Sequence, residues 1–351
     1  MRRVLVAALV IAASTTSVMA AQTEIRARSA TITIGGRLQA QTLTSSVGGA
    51  NTIETKMRRA RLFVGVAVGD LLRASILPDF VDGSLQLQDA FVSLHFDAAF
   101  VLSMGQMKRP SEVFEMVSST RLSIIERDGR VPGAGDCSGI GGVCSFSRLT
   151  ENLSFSGRDT GLRISGTVGW FSYGATVMNG TGINTSDEND GESFSVRTDI
   201  EVGSGLLVGG FLGSHDYLNP GGATDRATAY GVDLDWGEWT DGIHVQAAWV
   251  VGDNWKVLDS GQNPAKFMTG QAVITYFIPV GWERWAGIEP LARISWADPD
   301  RSVADDGGWI FTPGLSLFIS GRNKIGTNLD IYVPETGGTE FSFKLQAFAY
   351  F

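Results

Sequence analysis

The sequence predicts an all-β protein: a transmembrane antiparallel β-barrel of 16 strands, preceded by a cleaved export signal. Three observations carry this prediction. The last eleven residues alternate between apolar and polar positions. Sixteen segments with strand character, of roughly ten residues each, follow one another without a sustained helical period. The first twenty residues are organised like a secretory signal peptide.

The C-terminal segment shows the alternation most clearly. Ser342, Lys344 and Gln346 fall between apolar residues at every second position, which are Phe341, Phe343, Leu345, Ala347, Ala349 and Phe351. Such a strand has one apolar side and one wet side. At the end of an exported chain it predicts the closing strand of an outer-membrane barrel, with an aromatic end at the membrane interface. A half-buried edge strand of a soluble sheet would give the same local pattern.

The N-terminus predicts export across the inner membrane. Arg2 and Arg3 precede an apolar run, Val4–Ala13, that is too short to span a bilayer. The small residues that end at Ala20 suit a cleavage site, so residues 1–20 are predicted to be removed and residues 21–351 to form the barrel domain. An uncleaved anchor or a buried helix is the alternative.

The sixteen predicted strands cover most of the mature chain. They are Thr31–Gln41, Thr55–Val68, Leu71–Phe80, Leu85–Phe96, Phe100–Met107, Thr160–Val168, Trp170–Val177, Ser193–Val202, Leu206–His215, Arg226–Trp236, Ile243–Val251, Phe267–Ile278, Leu291–Ala297, Trp309–Ile319, Lys324–Val333 and Phe341–Phe351.

The connections between these strands alternate between long and short. Long ones hold Ser45–Ile53, Arg109–Gly157, Asn179–Glu192, Asp216–Asp225, Gly252–Ala265, Asp298–Gly308 and Pro334–Glu340. Outer-membrane barrels have long external loops and short periplasmic turns, so the alternation predicts which end of each strand faces outward. Two connections break the rule: Val81–Ser84 is short for an external loop, and Pro279–Glu289 is long for a periplasmic turn.

The charge balance excludes one class of partner. The chain has 28 Lys+Arg and 37 Asp+Glu, and its formal net charge is −9. Nucleic-acid binders normally show a basic excess, so no nucleic-acid partner is predicted. An acidic exterior is compatible with divalent cations and lipopolysaccharide, which we expect around the outer face of the barrel.

Two cysteines, Cys137 and Cys144, lie in a glycine-rich stretch. In an oxidising periplasm they are predicted to form a disulfide, with free thiols or a metal site as alternatives. None of the three histidines, which are His95, His215 and His244, lies near them in sequence, so no metal site is predicted. The acidic run Ser186–Glu192 lacks the complete pattern of a calcium loop, and a solvated loop is the favoured interpretation.

Arginines recur on the polar faces of the predicted strands. A charge on the lipid side costs about 2–4 kcal/mol near the midplane, so Arg59 and Arg61 of the second strand should point into the lumen. The same argument sends three more arginines inward, which are Arg37, Arg73 and Arg163. A ladder of arginines favours anions, and phosphate in particular because the guanidinium can bond two oxygens at once. Alternatively these arginines pair with inward acids, which concentrate from the eighth strand onward and predict an acidic wall opposite the basic one.

Four short motifs in order resemble one porin family. Lys56–Leu62 resembles the basic second-strand motif of the phosphate-selective porin O and P family, and Gly36–Gln39 resembles its first-strand entry. Leu87–Val92 resembles its acidic–Ala–aromatic strand, and Gly105–Ser111 resembles its turn into the third loop. The resemblance extends over roughly Gly35 to Arg130 and beyond that only to the strand rhythm and the final Phe.

The resemblance implies a trimer of sixteen-stranded barrels, each with its third external loop folded inward. Residues 109–157 fit that loop, and Pro110–Met116 would begin a short helix with Ser111 near its start. The resemblance also implies anion binding by basic residues at the channel, for which the candidates here, besides Arg59 and Arg61, are Lys108, Arg109, Arg121 and Arg127. The barrel-assembly machinery would recognise the last strand, which ends at Phe351.

These observations predict a passive outer-membrane diffusion channel of a Gram-negative bacterium, with a tilt toward small anions such as phosphate. A general porin for small polar solutes is the nearest alternative, and a plugged structural or adhesive barrel is the next. No enzyme activity and no cofactor are predicted, because no nucleophile motif surrounds Ser93 or Ser214, which lie near histidines.

Overall fold

A computed structural model describes residues 23–27, 29–135, 137–187 and 190–351. Within them the chain forms a short strand, β1, and sixteen longer ones, β2–β17. In order, the strands are Thr23–Ala27, Ala30–Val47, Ala50–Val68, Leu72–Asp79, Gln86–His95, Val101–Lys108, Arg158–Val168, Phe171–Met178, Ser193–Gly203, Leu206–Leu218, Thr224–Glu238, Asp241–Leu258, Pro264–Trp282, Trp285–Asp298, Gly308–Ser320, Asn323–Pro334 and Glu340–Tyr350.

The sixteen long strands close into a barrel. Each pairs antiparallel with the next along the chain, and the last strand, β17, pairs with β2, for example Leu345 with Thr42. Closure leaves no unpaired edge among these strands, as a lipid environment requires. The predicted fold class is therefore confirmed, and all sixteen predicted strands correspond to strands of the barrel.

The short strand β1 was not predicted. It pairs antiparallel with the start of β2, Thr23 lying opposite Ile34, on the same edge that β17 uses. The last residue, Phe351, bonds Gly36 through both its backbone groups, so β1 continues the line of β17 directly beyond the C-terminus. The predicted signal peptide, residues 1–20, lies outside the described residues.

The two faces of the wall follow the alternation of the sequence. On β17, Phe343 and Leu345 are exposed on the outside, whereas Lys344 and Gln346 are fully buried inside. Exposed Val92, Leu162 and Val196 continue the apolar exterior around the barrel. A wall that is apolar outside and polar inside is the pattern of a transmembrane barrel.

Several strands are longer than the sequence predicted. β2 and β3 meet in a hairpin turn at residues 48–49, and β12 and β13 meet at residues 259–263, so two predicted long loops are mostly strand. β13 and β14 also extend to a turn at residues 283–284, which removes the predicted exception at Pro279–Glu289. The other exception stands, since residues 80–85 are a short connection with one 3₁₀ turn, Val81–Gly83.

One connection is far longer than the rest: L3, residues 109–157. It contains two short helices, α1 (Val113–Met116) and α2 (Phe146–Asn152). The short helix predicted near Ser111 is therefore present, and Glu112 caps it by accepting the backbone N–H of Glu115 at 3.0 Å. Ser145 caps α2 in the same way. Among the described residues, no helix is long and apolar enough to cross a membrane.

Candidate functional site: the barrel interior

L3 folds into the barrel and is fastened to one side of the inner wall. Arg197 of β9 donates to the backbone oxygen of Ser111 at 2.6 Å. Arg293 of β14 donates to the backbone oxygens of Glu126 and Arg127, both at 2.9 Å. Because these donors sit on strands, they fix where the loop runs across the lumen.

Further wall side chains bond the loop backbone. Asn328 accepts the N–H of Ile125 at 2.6 Å, and Lys324 donates to the oxygen of Leu122 at 2.9 Å. Three more wall residues bond L3 backbone groups near its second helix and its cysteines: Ser295, Tyr332 and Trp255. Buried backbone groups need such partners, so the polar residues of β12–β16 serve the loop rather than solvent.

An apolar core lies between L3 and the inner face of β10–β16. The ring of Phe146 packs edge-on against Phe114, 5.6 Å between centroids, and Phe155 lies 6.0 Å from Phe267 of the wall. The wall contributes further inward apolar residues, among them Phe211, Val250, Leu291 and Ile310. Cys137 and Cys144 are joined in a disulfide within this core. The packed loop therefore fills the part of the lumen that lies beside these strands.

Two inward acids of the later strands, Asp233 and Asp330, are buried behind the loop. Asp330 pairs with Arg293 at 2.6 Å and also with Lys344, and Asp233 pairs with Arg197 at 2.6 Å. The predicted acidic wall therefore does not stand open opposite the arginines. Most of the acids that face the arginines belong to L3 instead, together with Asp79 of β4.

A cavity of about 440 Å³ remains between L3 and the inner face of β3–β7. Among the described residues, eight cationic and five acidic side chains line it, so positive charge is in excess. The cationic residues are Lys56, Arg58, Arg59, Arg61, Lys108, Arg127, Arg130 and Arg158. The acidic residues are Asp79, Glu115, Glu126, Asp128 and Glu151.

A β-bulge concentrates the arginines of β3. Gln39 pairs with Arg59 and Ala40 pairs with Met57, so Arg58 has no counterpart on β2. An extra residue in one strand interrupts strict alternation. As a result the consecutive residues Arg58 and Arg59 both line the cavity.

Glu126 of L3 reaches across the lumen to these arginines. Its carboxylate accepts from Arg58 Nε at 2.6 Å and Nη2 at 3.0 Å, and from Gln41 Nε2 at 3.1 Å. Arg59 Nη2 lies 4.0 Å away. Burial by itself would raise the pKa of Glu126, but Arg58 and Arg59 outweigh it and hold the pKa well below its usual range.

A second loop carboxylate, Glu115, stands between two cations. It lies 3.3 Å from Lys108 Nζ and 3.5 Å from Arg127 Nε. Burial would raise the pKa of Glu115, but Arg127 and Lys108 lower it to about 2. Both loop carboxylates are thus charged at neutral pH and offset part of the positive charge of the cavity.

The predicted arginines and lysine fall into three groups. Four line the cavity, which are Arg59, Arg61, Lys108 and Arg127. Arg37, Arg73 and Arg163 face inward outside the cavity. On β4–β7 one inward row runs from Arg73 through Ser93 and Ser103 to Arg163. The opposite face of these strands carries the exposed residues Val92 and Met104. Arg121 lies in L3 and is partly buried.

Arg109 does not line the cavity. Its guanidinium is buried against Asp159 and the backbone oxygen of Ser154, where it closes the base of L3. The motif Gly105–Ser111, from which Arg109 was predicted, lies at the end of a strand. The last residues of L3 cover that strand end, where the N–H of Arg109 bonds the oxygen of Gly157.

Sequence reasoning missed four of the eight cavity cations, which are Lys56, Arg58, Arg130 and Arg158. Strict alternation sent Arg58 to the lipid side because the bulge leaves no mark in one sequence. Arg158 begins β7 and pairs with Asp89 at 2.7 Å. Its position directly after the predicted loop, opposite Lys108 on the neighbouring strand, was the signal that could have found it.

The described residues contain no group of three or more His, Cys, Asp or Glu side chains arranged to hold a metal ion. Ser93 and His95 do contact each other, 3.0 Å from Oγ to Nε2, on the inner wall of β5. Ser214 has no hydrogen bond to the adjacent His215. The Nδ1 atom of His215 instead lies 3.3 Å from the Oγ atom of Ser193.

Solved structures with this architecture are outer-membrane proteins. The outer membrane channel DcaP of Acinetobacter baumannii matches with a TM-score of 0.64 at 12% identity, over 93% of this chain and 99% of that one. The fold is that of outer-membrane porins. OmpF of Salmonella typhi, solved with daunomycin, matches with a TM-score of 0.62 at 13% identity, over 94% and 100% of the two chains.

A third similar structure is OmpT of Vibrio cholerae in a trimer form, with a TM-score of 0.60 at 12% identity, over 92% and 100% of the two chains. No family model and no curated protein sequence matches the chain. At these identities the likeness concerns the fold alone.

Proposed function

We propose that this protein is a passive diffusion channel in the outer membrane of a Gram-negative bacterium, passing small hydrophilic solutes with a preference for anions such as phosphate. The preference is supported by one observation: cationic side chains outnumber acidic ones around the cavity. Arginines that replace part of an ion's hydration raise its local concentration, yet must bind weakly enough to let it leave. Relation to the phosphate-selective porin O and P family is part of this proposal.

The test is the reversal potential of single channels in planar bilayers across a potassium chloride gradient. We expect the wild-type channel to prefer chloride. Replacing Arg59 and Arg61 together by glutamine should lower the chloride-to-potassium permeability ratio by roughly threefold, because two charges leave the cavity wall. Cation preference of the wild-type channel would remove the anion claim.

A matched control is Arg226→Gln. Arg226 also pairs with a carboxylate, Asp216, but it lies on the outer face of β11 beside the ring of Phe194. Its loss should leave the permeability ratio unchanged, since the charge does not face the lumen.

A general porin without anion preference is the second candidate. The loop carboxylates favour it, because Glu115 and Glu126 each pair with cavity cations. Equal permeation by chloride and potassium, with no block of current by phosphate, would support this candidate. Failure to conduct any solute would instead support a plugged structural barrel.

We also propose that the protein works as a homotrimer in contact with lipopolysaccharide, inserted by the barrel-assembly machinery through its last strand. The trimer form of one similar structure supports the oligomeric state. The outer face of β2 and β3 adds support, because Thr42 and Thr55 place hydroxyls 3.1 Å apart there, where a subunit contact would cover them. The mass of the protein in detergent, with the detergent contribution subtracted, tests this proposal.

A further inference from the structure

We propose that Glu126 sets how strongly the cavity holds anions, because it occupies, as a tethered carboxylate, an anion seat formed by Arg58, Arg59 and Gln41. The inference rests on the proposed channel function and names the residue that regulates it. Removing the charge of Glu126 should expose the seat to a solute oxyanion such as phosphate.

The seat is built by two neighbouring strands. Arg58 presents two donors, Nε and Nη2, to the two oxygens of the Glu126 carboxylate. Gln41 Nε2 adds a third donor, and Arg59 stands behind it as a second positive charge. A guanidinium fork with an amide donor beside it is the arrangement that binds a planar or tetrahedral oxyanion.

Two residues of the seat, Arg59 and Gln41, are also hydrogen-bonded to the barrel wall. Arg59 Nη1 donates to Gln39 Oε1 at 2.7 Å, and Gln39 in turn donates to the hydroxyl of Tyr350 at 2.9 Å. Gln41 donates a second bond to Gln346 Oε1 at 3.0 Å. Arg59 and Gln41 would therefore keep their positions when the carboxylate is absent, and the Arg58 guanidinium would be free to bond an entering oxyanion.

The loop places Glu126 in the seat independently of its side chain. Arg293 bonds the backbone oxygen of Glu126, and Asn328 bonds the backbone N–H of the preceding Ile125. The side chain is only 5% exposed. A carboxylate delivered by a fixed backbone competes as an intramolecular ligand, with an effective concentration in at least the millimolar range.

This competition has a functional consequence. An entering phosphate must use the donor atoms that Glu126 already occupies, so its net affinity is lowered while the positive field around the cavity remains. Weak binding of that kind permits release, which a diffusion channel requires. The pair of Glu115 with Lys108 and Arg127 is longer, at 3.3 and 3.5 Å, so Glu126 is the stronger competitor.

The experiment compares wild-type protein with Glu126→Gln. Two quantities are measured: the phosphate concentration that halves chloride conductance, and binding of inorganic phosphate to detergent-solubilised protein by titration calorimetry. We expect Glu126→Gln to bind phosphate about tenfold more tightly in both assays, because the glutamine keeps the shape of the side chain but not its charge.

The control is Glu54→Gln. Glu54 also pairs with a cation of β3, Lys56, at 2.8 Å, but it is far more exposed than Glu126 and does not touch the seat. The Glu54→Gln substitution removes the same formal charge as Glu126→Gln and should change phosphate affinity by less than about twofold. An equal gain in both variants would mean that net charge, and not the seat, is responsible, which would overturn the proposal.

A second variant, Glu126→Asp, keeps the proposal testable if Glu126→Gln fails to fold. Glu126→Asp keeps the charge but withdraws the carboxylate by one methylene, and it should give a smaller gain in the same direction. Unchanged phosphate affinity in a folded Glu126 variant, judged by heat-modifiable electrophoretic mobility, would also overturn the proposal. Calorimetry separates this outcome from failure of the channel function, because phosphate binding is measured there whether or not the wild-type protein conducts.

Discussion

The two arcs of the inner wall are built on one strand pattern and are used in opposite ways. Along β3–β7 many inward side chains are charged, and several of them line the cavity. Along β10–β16 many inward side chains are apolar and pack against L3. The comparison shows that an inward side chain is not necessarily solvated. Where L3 packs against the wall the inward side chains form a core, and where it does not they line the cavity.

The dry arc also changes the meaning of its charges. Arg293 and Asp330 are almost completely buried, and the arginine holds the loop backbone, whereas Arg61 and Asp79 form a similar pair at the cavity. Removing one partner of a buried ion pair is strongly destabilising, because it leaves an uncompensated charge inside the protein. Charges of the dry arc should therefore govern stability, and those of the wet arc should govern permeation.

The largest effect should follow loss of the loop anchor. Arg293→Met leaves Asp330 with a single cationic partner and removes the donors for two backbone oxygens of L3, so we expect a loss of about 3–5 kcal/mol in unfolding free energy. Urea unfolding in lipid vesicles measures it. Lys266→Met is the control, because Lys266 pairs with Asp253 but is 69% exposed, and it should cost less than about 1 kcal/mol. Similar losses in both variants would mean that burial of the Arg293 pair adds nothing to the stability that an exposed pair provides.

A cavity in the loop core should have a somewhat smaller effect. Phe146 is fully buried against Phe114, so Phe146→Ala should destabilise the packed loop by about 3 kcal/mol. We expect faster tryptic cleavage within L3 and a larger single-channel conductance. Phe343→Ala, on the outer face, should leave loop cleavage at the wild-type rate. A loop that stays protected without Phe146 would show that the hydrogen-bonded anchors suffice.

The smallest effect concerns pH. Burial, with Glu115 nearby, raises the pKa of Glu112 from 4.5 to about 8. The unfolded chain loses this proton at a lower pH than the folded chain does, so stability should fall as the pH rises from 4.5 to 8. Glu112→Gln should remove that part of the slope in unfolding measured at pH 5 and pH 8. An unchanged slope would mean that Glu112 titrates normally. Below pH 4.5 the lowered pKa values of Glu115 and Glu126 act in the opposite direction, and stability is lost as these groups gain protons.

The route of the loop left a partial trace in the sequence. Val250 and Trp249, or Ile310 and Phe311, put apolar side chains on both faces of one strand. A strand with lipid on one side and water on the other has no reason for two apolar faces, so these positions indicate a covering layer. Gln39, Gln41 and Arg59 show the opposite pattern and indicate the open half.

The sequence by itself determined the number of strands, their order, the closing position of the last strand and the side on which most charges lie. These features depend on a two-residue period and on the cost of exposing charge to lipid, and both can be evaluated one segment at a time. Only the tertiary structure decided that Arg58 joins Arg59 at the cavity, that Arg109 is buried, and that Glu126 meets the arginines. Those outcomes depend on a bulge and on contacts between L3 and residues up to about 200 positions away, such as Asn328 with Ile125, which no local pattern records.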